Sequence, residues 1–108
     1  MTTSFQVQEF HRSLLRSEGY SELGMVQRAE QELMQVPQDL QSSLPFLVAE
    51  LKFFIHARLW DAAADAGLVI LDLWPDEWEV RGLTCVCLLK AGREEEAGLQ
   101  MLTEHHGH

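Results

Sequence analysis

The chain has 108 residues, of which 46% are apolar and 23% charged, so its composition is that of one globular domain rather than of a disordered chain. Eight Lys and Arg against 17 Asp and Glu give a net charge of -9, which disfavours nucleic acid and anionic membranes as partners, because a polyanion is bound by a basic surface. The sequence has no apolar run long enough for membrane insertion and no signal-peptide pattern at its start. Composition therefore predicts a cytoplasmic protein.

Apolar residues recur at spacings of three and four along the chain, which is the period of an amphipathic helix. The pattern is clearest in the fourth segment, where one helical face carries Trp60, Ala63, Gly67, Ile70 and Trp74. In chain order it predicts six helices and no strand, at about residues 6–18, 21–35, 44–57, 59–73, 76–91 and 93–103.

Helix ends are predicted from glycines and from a capping pattern. Gly19 and Gly92 stand where a left-handed residue is expected to end the first and fifth helices. Asp76 and Glu79 follow Pro75 with the spacing of a capping box, which predicts that they cap the start of the fifth helix.

A period of 34 residues runs through the chain. Gly24, Arg58 and Gly92 are equally spaced, and an alanine follows each of them after five residues, namely Ala29, Ala63 and Ala97. Such a pattern is typical of a tight turn between two antiparallel helices, followed by a side chain small enough for the helices to approach closely. The period therefore predicts an all-α fold built from repeated helix pairs.

The 34-residue period and the block Lys90 to Ala97 resemble the tetratricopeptide repeat (TPR) family, and Pro75 lies where a repeat of that family ends. The resemblance implies antiparallel helix pairs stacked as a short right-handed superhelix of about six helices, in a single domain over residues 1–103. Repeats are expected at about 10–43, 44–77 and 78–103, and a flexible His-rich tail at 104–108. The residues expected to pack the repeats are Gly24, Ala29, Ala63, Pro75, Gly92 and Ala97. Gly67 replaces a residue that is usually aromatic in the family, and Arg81 replaces a usual Trp.

Three groups of residues are of types that can bind a metal or take part in catalysis, and each has a simpler structural interpretation. The histidines of the tail at 104–108 lack an ordered shell of neighbours, so neither a metal nor a cofactor is predicted. Cys85 and Cys87 are two residues apart and point to different sides of a helix, which favours packing over redox chemistry. Asp61 and Asp65 share a helical face without a nucleophile, a phosphate loop or a metal motif, so the chain is not predicted to be an enzyme.

The resemblance also implies a binding surface, because TPR arrays bind peptides on the concave side formed by the first helix of each repeat. The groove residues expected from the 34-residue register are His11, Leu14, Glu18, Val48, Lys52, Ile55, His56, Glu79, Val86, Leu89 and Lys90. Lys52 and Lys90 are the only lysines, and they either receive a carboxylate of the partner or are ordinary solvated side chains. The chain has no Asn, whereas the carboxylate-clamp members of the family use asparagines.

These patterns predict a protein-interaction module, an adaptor, chaperone or assembly subunit, that binds a peptide or helical segment of another protein in this groove. The alternative is a structural homo-oligomer, with a homodimer as its simplest form, that uses its apolar face for self-association and buries Leu99, Met101 and Leu102. Trp78 either covers the junction between repeats or stays partly exposed for a partner.

Overall fold

The computed structural model describes residues 3–105, with the side chains of residues 3–102. Over this range the chain forms six α-helices and one short 3-10 helix, without a strand. The α-helices are α1 (Ser4–Glu22), α2 (Val26–Met34), α3 (Leu44–His56), α4 (Trp60–Leu73), α5 (Trp78–Lys90) and α6 (Glu94–His105), and the 3-10 helix (Gln38–Leu40) lies between α2 and α3. The prediction of an all-helical chain with six helices is confirmed.

None of the described helices combines the length and the apolarity that a membrane crossing requires. Residues 106–108 of the predicted His-rich tail lie outside the described residues, and α6 includes residues 104 and 105.

The chain divides into two compact units, Met1–Ala57 and Arg58–His108. The first unit contains α1, α2 and α3, and α1 packs against both of the other helices. The second unit contains α4, α5 and α6, and α5 packs against both of its neighbours. The boundary between the units falls between the two helices of the repeat predicted at 44–77.

The three turn positions of the 34-residue period share one backbone conformation. Gly24, Arg58 and Gly92 have φ angles of 75°, 59° and 77°, in the left-handed region. Glycine adopts this conformation without steric cost, whereas it is about 1–2 kcal/mol less favourable for a residue with a Cβ such as Arg58. The turn register predicted from the sequence is therefore present at all three positions.

The turns after α1 and after α5 are the same hydrogen-bonded motif. Gly24 N–H donates to the Ser21 carbonyl (3.0 Å), and Met25 N–H donates to the Tyr20 carbonyl (2.8 Å). The equivalent bonds after α5 run from Gly92 N–H to Leu89 O (3.1 Å) and from Arg93 N–H to Leu88 O (2.8 Å). Both pairs are the bonds of a Schellman motif, which satisfies the last free carbonyls of a helix.

Two predicted helix ends are wrong. Gly19 does not end α1, which continues to Glu22 and is closed by Gly24. Asp76 does not cap α5, because α5 starts at Trp78 and its N-cap residue makes no side-chain hydrogen bond. A complete capping box instead starts α1, where Thr3 and Gln6 each bond the other's backbone N–H.

The alanines of the period lie at helix contacts, and Ala29, Ala63 and Ala97 are all fully buried. In the first unit Ser17 Oγ donates to the Ala29 carbonyl at 3.0 Å. In the second unit Cys85 Sγ lies 4.0 Å from the Ala97 carbonyl, at the position 68 residues later. The hairpins α1–α2 and α5–α6 therefore share a turn, a buried alanine and a polar contact to that alanine.

In the second unit, α4 and α5 approach closely at Gly67. A Cβ at this position would overlap the side chain of Thr84, including its Cβ. Thr84 is fully buried, and its Oγ1 donates to the Val80 carbonyl at 2.7 Å, so the hydroxyl is satisfied in the core. This crossing leaves no room for a side chain at position 67, so glycine is required there.

Candidate functional site

One side of α5 is exposed along its whole length, while the other side is buried in the second unit. The exposed side carries Glu79, Gly82, Val86, Leu89 and Lys90, which we call the α5 stripe. These residues follow one another at helical spacings, so they form a continuous surface. Two large apolar side chains at its centre, Val86 and Leu89, are 49% and 48% exposed.

Lys90, at the C-terminal end of the α5 stripe, contacts an aromatic ring. Its Nζ lies 5.0 Å from the ring centroid of Trp60, which is the first residue of α4. This distance is that of a cation–π interaction, which restrains the position of an exposed ammonium group. The α5 stripe therefore combines an apolar centre with a cation held at one end.

The groove residues predicted in the first unit lie on α1 and α3, which pack against each other. His11 and His56 are exposed, and the remaining ones are half-buried, namely Leu14, Glu18, Val48, Lys52 and Ile55. Lys52 Nζ lies 3.7 Å from Glu18 Oε1, so these two predicted groove residues form an ion pair with each other. The positive charge of Lys52 is therefore partly compensated within the chain.

The acidic residues at the start of α4 are joined by one arginine. Arg93 NH1 lies 3.4 Å from Asp61 Oδ1 and 2.8 Å from Asp65 Oδ1, and its NH2 lies 2.8 Å from Glu96 Oε2. Hydrogen bonds to Glu96 and Asp65 raise the pKa of Arg93, and the bond from Arg93 lowers the pKa of Glu96. Arg93 Nε and NH2 donate to the two carboxylate oxygens of Glu96 at 2.9 and 2.8 Å, which is the bidentate geometry of the stronger ion pairs. The cluster therefore links the start of α4 to the start of α6 as a small network of charges.

Arg81 is a buried residue whose role the sequence did not reveal. Only 3% of Arg81 is exposed, and its guanidinium donates to the Pro75 carbonyl (2.7 Å) and to Gln100 Oε1 (2.6 Å). The half-buried Trp78 lies against it, with 5.3 Å between Arg81 Cζ and the ring centroid. Arg81 thereby connects the end of α4 with α6, which is a structural role.

Neither cysteine is placed for surface chemistry. Cys85 and Cys87 are both buried free thiols, and burial raises the pKa of Cys87. Raising the pKa of a thiol reduces the fraction present as the reactive thiolate. In the part of the chain whose side chains are described, no three His, Cys, Asp or Glu residues are grouped so that they hold a metal ion.

Searches with family models, against curated proteins and against solved structures found no match to this chain.

Proposed function

We propose that this chain is a helical protein-interaction module of TPR type, and that it binds an apolar segment of another protein through the α5 stripe. The TPR interpretation is supported by the three left-handed turn positions at 34-residue spacing and by the buried alanine that follows each of them. The matching contacts of Ser17 and Cys85 in the two hairpins support it further. The buried free cysteines suit a protein of a reducing compartment such as the cytoplasm.

The observation that carries the proposal is the exposure of Val86 and Leu89 next to Lys90. Exposed apolar residues that adjoin one another and are rimmed by polar ones mark an interaction surface, whereas single exposed apolar residues do not. Lys90 favours a partner segment with an acidic residue, because a carboxylate near its ammonium group would accept a charge-assisted hydrogen bond. We therefore expect a mostly apolar segment that carries an acidic residue, since the net charge of -9 disfavours a strongly acidic one.

Photo-crosslinking in cells tests this proposal at the level of single residues. A photoreactive phenylalanine analogue replaces Val86 of the α5 stripe in one variant and Val69 of α4 in a second. The two valines are 49% and 50% exposed, so they are matched in accessibility. A protein crosslinked from position 86 but not from position 69 is the expected result, and equal crosslinking from both positions would refute the proposed surface.

Self-association is a second candidate function, because α6 also exposes apolar side chains. Leu99, Met101 and Leu102 are 63%, 42% and 60% exposed. A second copy that covered them would give a dimer whose stability depends on concentration. Light scattering over a concentration series separates partner binding from self-association. A constant monomer mass excludes self-association, and a dimer that dissociates in the Leu102→Asp variant supports it.

A further inference from the structure

The first unit contains a cleft between α2 and α3, which we call the α2–α3 cleft. It has a volume of about 200 Å³ and is lined mainly by Met34, Phe46, Phe53, Phe54, Glu30 and Glu50. Pockets for whole small-molecule ligands usually measure about 300–1,000 Å³, so this cleft has the size for a single side chain. Its lining combines an apolar wall with two carboxylates.

Neither carboxylate of the cleft has a cationic partner among the described residues of the first unit. The unit contains four Lys and Arg residues, and each contacts a different group. The observed pairs are Arg12 with Glu9 (2.7 Å), Arg16 with Glu32 (2.9 Å), Lys52 with Glu18 (3.7 Å) and Arg28 over the Tyr20 ring (5.8 Å). Glu30 and Glu50 thus present negative charge that no described cation of the unit neutralises.

Glu50 is the less favourably placed of the two carboxylates. It is half-buried, and this burial raises its pKa because the charged form loses hydration. A cation entering the cleft would restore the lost stabilisation through a charge-assisted hydrogen bond. The neighbouring Phe53 and Phe54 would at the same time cover the aliphatic part of a long basic side chain.

We propose that the α2–α3 cleft binds one arginine or lysine side chain of a partner protein, with its aliphatic part against Phe53 and Phe54 and its charged group at Glu50 and Glu30. The site lies in the first unit and uses none of the residues of the α5 stripe. The chain would therefore have a second binding site in addition to the proposed function. This site prefers a basic side chain of the partner, whereas the α5 stripe prefers an acidic one.

The test uses a single amino acid as the probe. N-acetyl-arginine methylamide is titrated into the full chain while the methyl resonance of Met34 is followed by NMR, with the Met101 methyl as a reference far along the chain. We expect the Met34 resonance to shift and to saturate with a Kd of about 1 mM, the range of a single side-chain contact. The citrulline analogue, which has the same shape but no charge, is expected to bind about tenfold more weakly.

Two variants decide whether the cleft carboxylate is responsible. Glu50→Gln keeps the shape of the side chain and is expected to weaken arginine binding about tenfold. Glu22→Gln removes an exposed carboxylate at the end of α1 and is expected to leave binding unchanged, which controls for attraction to the acidic surface as a whole. An unchanged amide NMR spectrum verifies that each variant is folded.

Three results would overturn the proposal. Equal binding of the arginine and citrulline analogues would show that the charge is not recognised, and equal binding by Glu50→Gln would place the cation elsewhere. The absence of a Met34 shift at about ten times the expected Kd would show that the cleft takes no basic side chain. If the two sites are independent, Val86→Asp in the α5 stripe leaves the arginine titration unchanged. Failure of the α5-stripe proposal can then be distinguished from failure of the cleft proposal.

Discussion

The close approach of α4 and α5 makes Gly67→Ala the most informative stability variant. In the interior of a helix, alanine is normally about 1 kcal/mol more favourable than glycine. Here the added Cβ would lie 2.9 Å from the Cβ of Thr84 and would overlap its hydroxyl. Rotation of Thr84 about χ1 moves the hydroxyl but leaves the Cβ in place, so the two helices must separate.

Overpacking of a core usually costs about 1–3 kcal/mol, and a backbone shift lies in the upper part of that range. After subtraction of the helix-propensity gain, we expect Gly67→Ala to lower the free energy of unfolding by about 1–2 kcal/mol. In a domain of this size that is a fall in Tm of about 4–16 °C. Gly82→Ala makes the same change in α5 where an added Cβ meets no atom within 4 Å, so it is expected to raise the Tm, by up to about 4–8 °C.

Urea denaturation followed by tryptophan fluorescence measures both variants in the relevant part of the molecule. Trp60, Trp74 and Trp78 are the only tryptophans, and all three lie in the second unit together with Gly67. Thr84→Ala removes the overlapping Oγ1 and Cγ2 atoms, so the double variant should lose less stability than the sum of the single variants. Stability of Gly67→Ala equal to or above that of Gly82→Ala would refute the reasoning.

Three further predictions concern buried or half-buried groups and are measured by denaturation. Ala63→Leu should lower the free energy of unfolding by about 1–3 kcal/mol, because Ala63 is fully buried, and unchanged stability would contradict the turn register. Arg81→Lys should lower the free energy of unfolding by about 1–3 kcal/mol, since lysine lacks the planar guanidinium that donates to both Pro75 O and Gln100 Oε1. An unchanged Tm would show that these hydrogen bonds do not stabilise the fold. Glu50→Gln should raise the Tm at neutral pH, because the raised pKa of Glu50 makes its ionised form unfavourable in the folded state. This gain should vanish as the pH falls below the ordinary carboxyl value near 4.5, and a gain independent of pH would contradict the effect of burial.

Local features of the fold could be predicted because they depend on residues close together in the chain. Three turn positions 34 residues apart, each followed by an alanine after five residues, predict a turn and a buried small residue, and the structure contains both at each position. Gly19 predicts too early an end for α1, because a glycine near a helix end is a strong signal by itself. Gly24, which the 34-residue register also marks, is the residue that adopts the left-handed conformation.

Features that depend on tertiary contacts were not predictable in the same way. Arg81 is charged and is nevertheless buried, since the carbonyl of Pro75 and the amide of Gln100 surround it only after α4, α5 and α6 have packed. The α2–α3 cleft was missed because Glu50 follows the helical period of an exposed residue, and its partial burial arises from the packing of α2 beside α3. The exposed side of α5 does not follow from helical periodicity either, because the apolar Val86 and Leu89 lie on it while the polar Thr84 is buried. These positions were expected at the surface from the 34-residue register instead.

The central claim is that the α5 stripe binds a partner protein, and a measurement of affinity tests it most directly. The protein crosslinked from position 86 is titrated with the chain and with two double variants, Val86→Asp with Leu89→Asp in the stripe and Val69→Asp with Leu73→Asp on α4. All four side chains are 48–59% exposed, so each variant replaces two accessible apolar residues by two charges. We expect the stripe variant to raise the Kd at least about tenfold, because apolar contacts at the centre of an interface carry much of its energy, while the α4 variant binds like the unchanged chain. Equal Kd values for the two variants would contradict the account.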